Sequence, residues 1–286
     1  MIDDRVLLAA LLKLHAAGSL PASQCTPSQR KKLDLFARQT RAISCQRQGR
    51  GEVYRVEDAE LFSQHVKAAS PGLDSSQRNE IPLRAQHIAD ARNSKAGKSQ
   101  HERYYLLLKA VGSSVTWNEI YRGTELALTQ ATENYGVASL AVEQEDGWQT
   151  EQDLWLIENQ APFSQTNWLP RGTQASIVYY AGQLNGVLVD WLKSRPRAKN
   201  VIHFPDYDGV GLANFVRLHQ ALHGNCSFWL MPDWSGKLAK FGNNQLWRDT
   251  LREFTKAQPK LPDYLLPLAQ QMLTSGLALE QEVVWL

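Results

Sequence analysis

The chain has 286 residues, 43% of them apolar and 21% charged, with nine tryptophans and a formal charge of +2. At about 100–200 residues per domain, that length accommodates two domains, and the apolar content excludes a wholly disordered chain. Three scattered cysteines (Cys25, Cys45, Cys226) form no Cys-x-x-Cys pair, which argues against a thiolate zinc site.

The odd cysteine count and the lack of a signal-peptide pattern predict a cytoplasmic protein, and the apolar run Val6–Leu14 is too short to span a bilayer. The small net charge hides a division. Residues 1–110 carry 18 Lys and Arg against 11 Asp and Glu, a surplus of +7, and the remainder sums to −5. A basic front beside an acidic rear suits a DNA-holding module joined to a metal-holding one, although charge also drifts by a few along any chain.

Ile2–Ala17 has helical apolar spacing and stops at Gly18. Thr26-Pro27 is a helix start, with Thr as cap and Pro in the first turn. The helix predicted through Gln39 has Leu33, Leu35 and Phe36 as its apolar residues and carries Arg30, Lys31, Lys32 and Arg38 on its outer face. Ala42–Val56 reads as a hairpin around Gly49-Arg50-Gly51, with Arg47 and Arg50 on it, and Glu57–Ala69 as a further helix. Helix, basic helix and basic hairpin over residues 1–75 fit a winged-helix DNA-binding module, whose second helix enters a groove while the hairpin grips phosphates. They also fit a small α+β module with a solvated basic face.

Residues 73–100 are polar and read as a linker or a DNA-facing loop. Helices are predicted over Gln100–Val111 and Thr116–Asn134, the latter with Leu126, Leu128 and Ala131 inward, so residues 76–136 read as a helical linker region. From 137 to 286 the texture changes to strand–helix alternation. Strands are predicted at Val137–Val142, Asp153–Ile157, Ala175–Tyr180, Val201–Phe204 and Ser227–Met231, with helices at Asn185–Lys193 and Gly211–Ala221. This alternation predicts an α/β domain with a mainly parallel sheet flanked by helices.

In such sheets, functional side chains sit beyond the carboxy ends of strands. Three of the predicted strands run into acids: Glu158-Asn159, Asp206-Tyr207-Asp208-Gly209 and Pro232-Asp233. Carboxylates brought together there would repel unless a cation lay between them. Oxygen ligands with no cysteine favour Mg²⁺ or Mn²⁺. The alternative is a set of solvated loop acids.

A strand ending in Glu-Asn, followed by a strand ending in Asp-x-Asp-x-x-Gly before a helix, resembles the Toprim domain. The wider pattern resembles one branch of it: the topoisomerase VI A subunit, the JetD nuclease of Wadjet systems and the MksG proteins. Val178-Tyr-Tyr-Ala-Gly182, Trp229-Leu-Met-Pro-Asp233, Leu279-Glu-Gln-Glu282 and Asn93-Ser-Lys95 carry the likeness to JetD, over about residues 90–286. The resemblance implies a homodimeric, Mg²⁺-dependent DNA endonuclease acting as the effector of an SMC-like, kleisin-containing plasmid-defence complex. On that reading Glu158, Asp206 and Asp208 are catalytic and hold the metal, with Glu158 a general base or bridging ligand. Asp233, Glu280 and Glu282 support that ion or a second one, and Lys95 joins the DNA-binding residues.

The rival chemistry is attack by a tyrosine that stays attached to DNA. Tyr54 lies in the predicted hairpin rather than on a helix, and Tyr104-Tyr105 follows the Ser-Lys motif, so hydrolysis is preferred. A non-catalytic DNA-binding subunit is the other alternative. No phosphate-binding Gly-x-x-x-x-Gly-Lys loop occurs, and His203 reads as a packed core histidine.

Overall fold

A computed structural model describes residues 5–49, 51–69, 81–91 and 103–286. Arg50, the Asn93-Ser94-Lys95 motif and most of the polar stretch after Ser70 lie outside the described residues. The chain divides into two compact units, residues 1–100 and 101–286. No helix among the described residues is long and apolar enough to cross a membrane.

The first unit contains α1 (Arg5–Ala17), β1 (Ser19–Pro21), a 3-10 turn (Ala22–Gln24), α2 (Pro27–Thr40), β2 (Ile43–Gln48), β3 (Gly51–Val56), α3 (Ala59–Ala69) and α4 (Leu83–Ala91). The three strands form an antiparallel sheet in the order β1-β3-β2, and the β2–β3 hairpin closes at Gln48 opposite Gly51. Leu11 and Leu14 of α1, Leu33 and Phe36 of α2, Tyr54 of β3 and Phe62 of α3 share one buried core. Helix α2 starts where its sequence says it should. The Thr26 hydroxyl accepts from the Gln29 amide, and the Gln29 side chain accepts from the Thr26 amide. Thr26→Ala should cost about 1 kcal/mol, seen as faster hydrogen exchange of the α2 amides.

The second unit runs β4 (Arg103–Val111), β5 (Thr116–Glu119), β6 (Thr124–Ala127), α5 (Leu128–Tyr135), β7 (Ala138–Glu143), β8 (Trp148–Gln149), β9 (Asp153–Ile157), α6 (Gln160–Ser164), β10 (Ala175–Tyr179) and α7 (Gly186–Ser194). It continues through β11 (Val201–Phe204), α8 (Gly209–Ala221), β12 (Cys226–Phe228), α9 (Trp234–Phe241), α10 (Asn244–Ala257) and α11 (Leu266–Ser275) to a 3-10 turn at Gln281–Trp285. Its main sheet has the order β12-β11-β9-β10-β4-β7. The first four strands are mutually parallel, β4 pairs antiparallel with β10, and β7 pairs antiparallel with β4. A small antiparallel sheet, β6-β5-β8, accompanies it. The protein is therefore a mixed α/β fold with a mostly parallel main sheet.

Two of the predicted helices are instead strands. Residues 103–111 form β4, in which Leu106 and Leu108 are buried while Arg103, Tyr105 and Leu107 are exposed. That alternation has the two-residue period of a strand, but a short run of Tyr and Leu also satisfies a helical count. Residues 116–127 form the hairpin β5–β6, turned at Gly123 (φ 64°), and only Leu128–Tyr135 is helical. The segment read as a helical linker thus supplies an interior strand of the main sheet, between β10 and the edge strand β7. Conversely, helix α4 lies inside the stretch read as a polar linker, and the strand predicted to reach Met231 stops at Phe228.

Candidate functional site

Strands β9 and β11 are parallel neighbours, with Phe204 beside Ile157, so the loops that follow them leave the same sheet edge. Glu158 and Asn159 follow β9; Asp206 and Asp208 follow β11. The Asp206 amide donates to Glu158 Oε2 at 3.2 Å, and Asn159 Nδ2 donates to Asp206 Oδ1 at 2.9 Å. Asp208 caps α8, accepting from the Gly211 amide at 2.7 Å. Gly209 and Gly211 matter here for close approach rather than for left-handed backbone. A Cβ at 209 would strike the Thr250 carbonyl of α10, and one at 211 the Asp206 carbonyl.

The carboxy-terminal segment closes the site. Leu279 forms a backbone bridge with Tyr207, and the Gln281 amide donates to Asp206 Oδ1 at 2.7 Å. The fully buried Gln281 side chain accepts from the Asn159 amide and donates to the Phe204 carbonyl. Glu282 accepts from Asn159 Nδ2 at 3.1 Å. Behind Glu158, the buried Tyr180 hydroxyl donates to Glu158 Oε2 at 3.0 Å and lies 2.9 Å from His203 Nε2. With Tyr180 donating to the carboxylate, His203 Nε2 must carry the hydrogen, and its buried Nδ1 is left without a partner. Burial lowers the His203 pKa to about 3, so the ring is neutral.

The electrostatics are one-sided. Burial first, then repulsion from Asp206 and Asp208, raise Glu158 to about 8, against the bonds from the Asp206 amide and Tyr180. Burial also raises Asp206 to about 7, opposed by the Gln281 amide and reinforced by Asp208, Glu282 and Glu280. Asp208 is raised by burial despite the amides of Gly211 and Val210. No Lys or Arg among the described residues forms an ion pair with any of the three. Glu158 Oε1 and Asp206 Oδ2 accept no hydrogen bond among the described residues, so each carboxyl keeps an oxygen free.

This donor set suits a hard divalent cation, which would relieve the repulsion. Yet among the described residues no group of three or more His, Cys, Asp or Glu side chains is placed so that together they could hold a metal ion. Like charges without a counter-ion have no reason to converge further.

Of the sequence-predicted residues, Glu158, Asp206 and Asp208 come to one edge, with Glu280 and Glu282 close enough to act on Asp206. Asp233 does not join them by any hydrogen bond. It is exposed, in the left-handed conformation (φ 53°) at the start of α9, and its carboxylate lies over Gly236. Asn159, Tyr180 and Gln281 are the residues sequence reasoning assigned no role, although the first two stand inside quoted motifs and Gln281 separates the two terminal glutamates. In the first unit Arg30, Lys31 and Arg38 on α2 and Arg47 on β2 are exposed, and Lys32 is half-buried. Tyr54 is not available as a nucleophile. It is buried, its hydroxyl donates to Asp34 at 2.8 Å, and its pKa is raised by burial and by Asp34.

No curated protein matches the chain in sequence. Residues 105–285 match the model of a family described as Domain of unknown function (DUF7281), which covers all of the second unit except residues 101–104 and 286, and the chain belongs to that family.

Proposed function

We propose that the protein is a Mg²⁺- or Mn²⁺-dependent DNA endonuclease, with a Toprim-type second unit that hydrolyses phosphodiesters and a winged-helix first unit that holds the duplex. The observation that carries the reading is the group of buried Glu158 and Asp208 and half-buried Asp206 at the carboxy ends of adjacent parallel strands, with no ion pair to a Lys or Arg among the described residues. Glu158, Asp206 and Asp208 would hold the ion, with Glu280 and Glu282 at the rim. When bound, the cation supplies charge neutralisation at the scissile phosphate and a more acidic water. Tyr180 and His203 keep Glu158 oriented, Asn159 and Gln281 keep Asp206 oriented, and Glu158 is the group placed to take a proton near neutral pH.

The order helix, strand, 3-10 turn, helix, hairpin in the first unit supports the winged-helix reading, and α2 presents Arg30, Lys31 and Arg38 on its outer face. The burial of Tyr54 favours hydrolysis over tyrosine attack. The likeness to JetD and MksG extends the proposal to a homodimer serving an SMC-like plasmid-defence complex.

The test is nicking of supercoiled plasmid by the full chain with Mg²⁺ or Mn²⁺. The expected result is metal-dependent cutting that falls at least about a hundredfold, roughly 2.7 kcal/mol, in both Glu158→Ala and Asp206→Ala. Cutting that survives both substitutions removes the catalytic assignment. DNA binding without cutting, in the presence of its purified partners, would make the protein a structural subunit. Lys31→Glu with Arg38→Glu should weaken binding to all sequences alike and flatten its salt dependence.

A further inference from the structure

We propose that a second site, a cleft at the amino ends of β11 and β12, binds a small organic phosphate of nucleotide size. The cleft has a volume of about 950 Å³ and lies between the loop that leads from α7 into β11 and the loop that leads from α8 into β12. That volume falls within the range of about 300–1,000 Å³ typical of small-molecule sites. Asp206 follows the opposite end of β11, about 10–13 Å away along a four-residue strand, so the acid cluster and the cleft do not overlap.

The charge of the cleft runs against its surroundings. The part of the chain after residue 110 sums to −5, yet among the described residues no Asp or Glu lines the cleft, whereas Lys193, Arg195, Arg197, Lys199, His219 and His223 do. Arg197 is already neutralised by Asp146 at 2.9 Å. Lys193, Arg195 and Lys199 have no ion-pair partner among the described residues. Arg195 is the sharpest case. The residue is half-buried, its guanidinium lies 5.0 Å from the centre of the Tyr121 ring, which stands outside the cleft lining, and its Nε has no hydrogen-bond acceptor among the described residues. A buried cationic donor without an acceptor is costly, and a phosphate oxygen is the acceptor such a fork fits best.

The walls are built in advance. Arg197 ties the Ser194–Asn200 loop to the carbonyls of Gln144, Asp146, Trp148 and Trp191. Across the cleft, His223 (φ 50°) and Gly224 (φ 88°) make a left-handed turn closed by the Gly224 amide on the His219 carbonyl. His219 Nδ1 donates to the Cys226 carbonyl at 2.9 Å, which leaves its Nε2 uncommitted. The remaining lining is largely apolar, with Leu192, Val201, Ile202 and Leu222 beside Tyr264. Basic side chains together with an apolar and aromatic lining fit a phosphate joined to a flat ring, the chemistry of a nucleoside phosphate. Both a free nucleotide and the 5′-phosphorylated end of a strand present it.

Calorimetric titration of the full chain in EDTA, which keeps metal from the acid cluster, tests this with ADP and a 5′-phosphorylated tetranucleotide. At least one should bind with a Kd of about 1–100 µM, and which binds tighter identifies the source. Adenosine and inorganic phosphate should each bind at least about tenfold more weakly. Arg195→Ala and Lys199→Glu should each weaken the probe about tenfold. Lys199 is exposed, so its substitution should leave the melting temperature unchanged, and Asp206→Ala should leave the Kd unchanged. Failure of both probes below 1 mM (about 4 kcal/mol) would overturn the proposal. Indifference to both cleft variants would do the same, as would an equal loss in Asp206→Ala or tighter binding of a glutamate-rich peptide.

Discussion

Above pH 8, Glu158→Gln should melt at a higher temperature than the wild-type protein in the absence of divalent metal. The pKa of Glu158 is raised from 4.5 to about 8, chiefly by burial and then by Asp206 and Asp208, so the folded protein resists its ionisation. Below the unfolded value both states are protonated and the group costs nothing. As pH rises from about 4.5 to about 8 the unfolded chain ionises first and stability falls; above the folded value the cost is complete. One pH decade corresponds to about 1.4 kcal/mol. Because Asp206 shares the burden, the single substitution should recover about 2–4 kcal/mol at pH 8.5 and little at pH 5. Asp206→Asn should behave likewise over a window ending near 7. Millimolar Mg²⁺ should stabilise the wild type at pH 8.5 by about 2–3 kcal/mol if the concentration is near 100 times Kd, and should do much less for either variant. A variant no more stable than wild type at pH 8.5, or a gain equal at pH 5, would contradict this account of the cluster.

Arg197→Ala should be the most damaging single substitution outside the acid cluster, costing about 3–5 kcal/mol. Arg197 is fully buried and pairs with Asp146 Oδ1 at 2.9 Å. It also donates to four backbone carbonyls and the Ser194 hydroxyl, and packs 4.5 Å from the Trp191 ring centre. Burial lowers its pKa to about 10, against the pull of Asp146, so it remains charged at neutral pH. Its removal strands a half-buried aspartate and unties the loop between α7 and β11 from the small sheet. Arg197→Lys should lose most of the same stability, because an ammonium cannot reach acceptors on both sides of a planar fork. Urea midpoints for the two variants check this; a loss below about 1 kcal/mol for Arg197→Ala would show that the network is dispensable.

The readable parts of this protein were those where local chemistry decides. Thr26, Pro27 and Gln29 declare a helix start through hydrogen bonds within four residues, and Gly49 with Gly51 marks a hairpin whose register follows from its turn. Strands β9 and β11 are largely apolar because a parallel sheet buries both faces, and each is followed within two residues by an acid, Glu158 and Asp206. That is why the positions of Glu158, Asp206 and Asp208 could be named in advance.

The misread parts were those where neighbours decide. Arg103–Val111 carries Tyr and Leu in a pattern open to either period, and it becomes a strand because β10 and β7 flank it, pairing with residues 30 to 72 positions away. The buried polar residues followed the same rule. Gln281 bonds to Asp206, Asn159 and Phe204 across 75 to 122 residues of sequence, and the Tyr180 hydroxyl bridges Glu158 and His203 from neighbouring strands. The cleft lies at the amino ends of β11 and β12, where a rule about carboxy ends directs no attention. Residue types and short spacings were sufficient for caps, turns and strand-end acids, since those depend on contacts within a turn or two. Which strands became neighbours, which acids were drawn together and which cations were left unpaired depended on long-range packing, whose partners no local window contains.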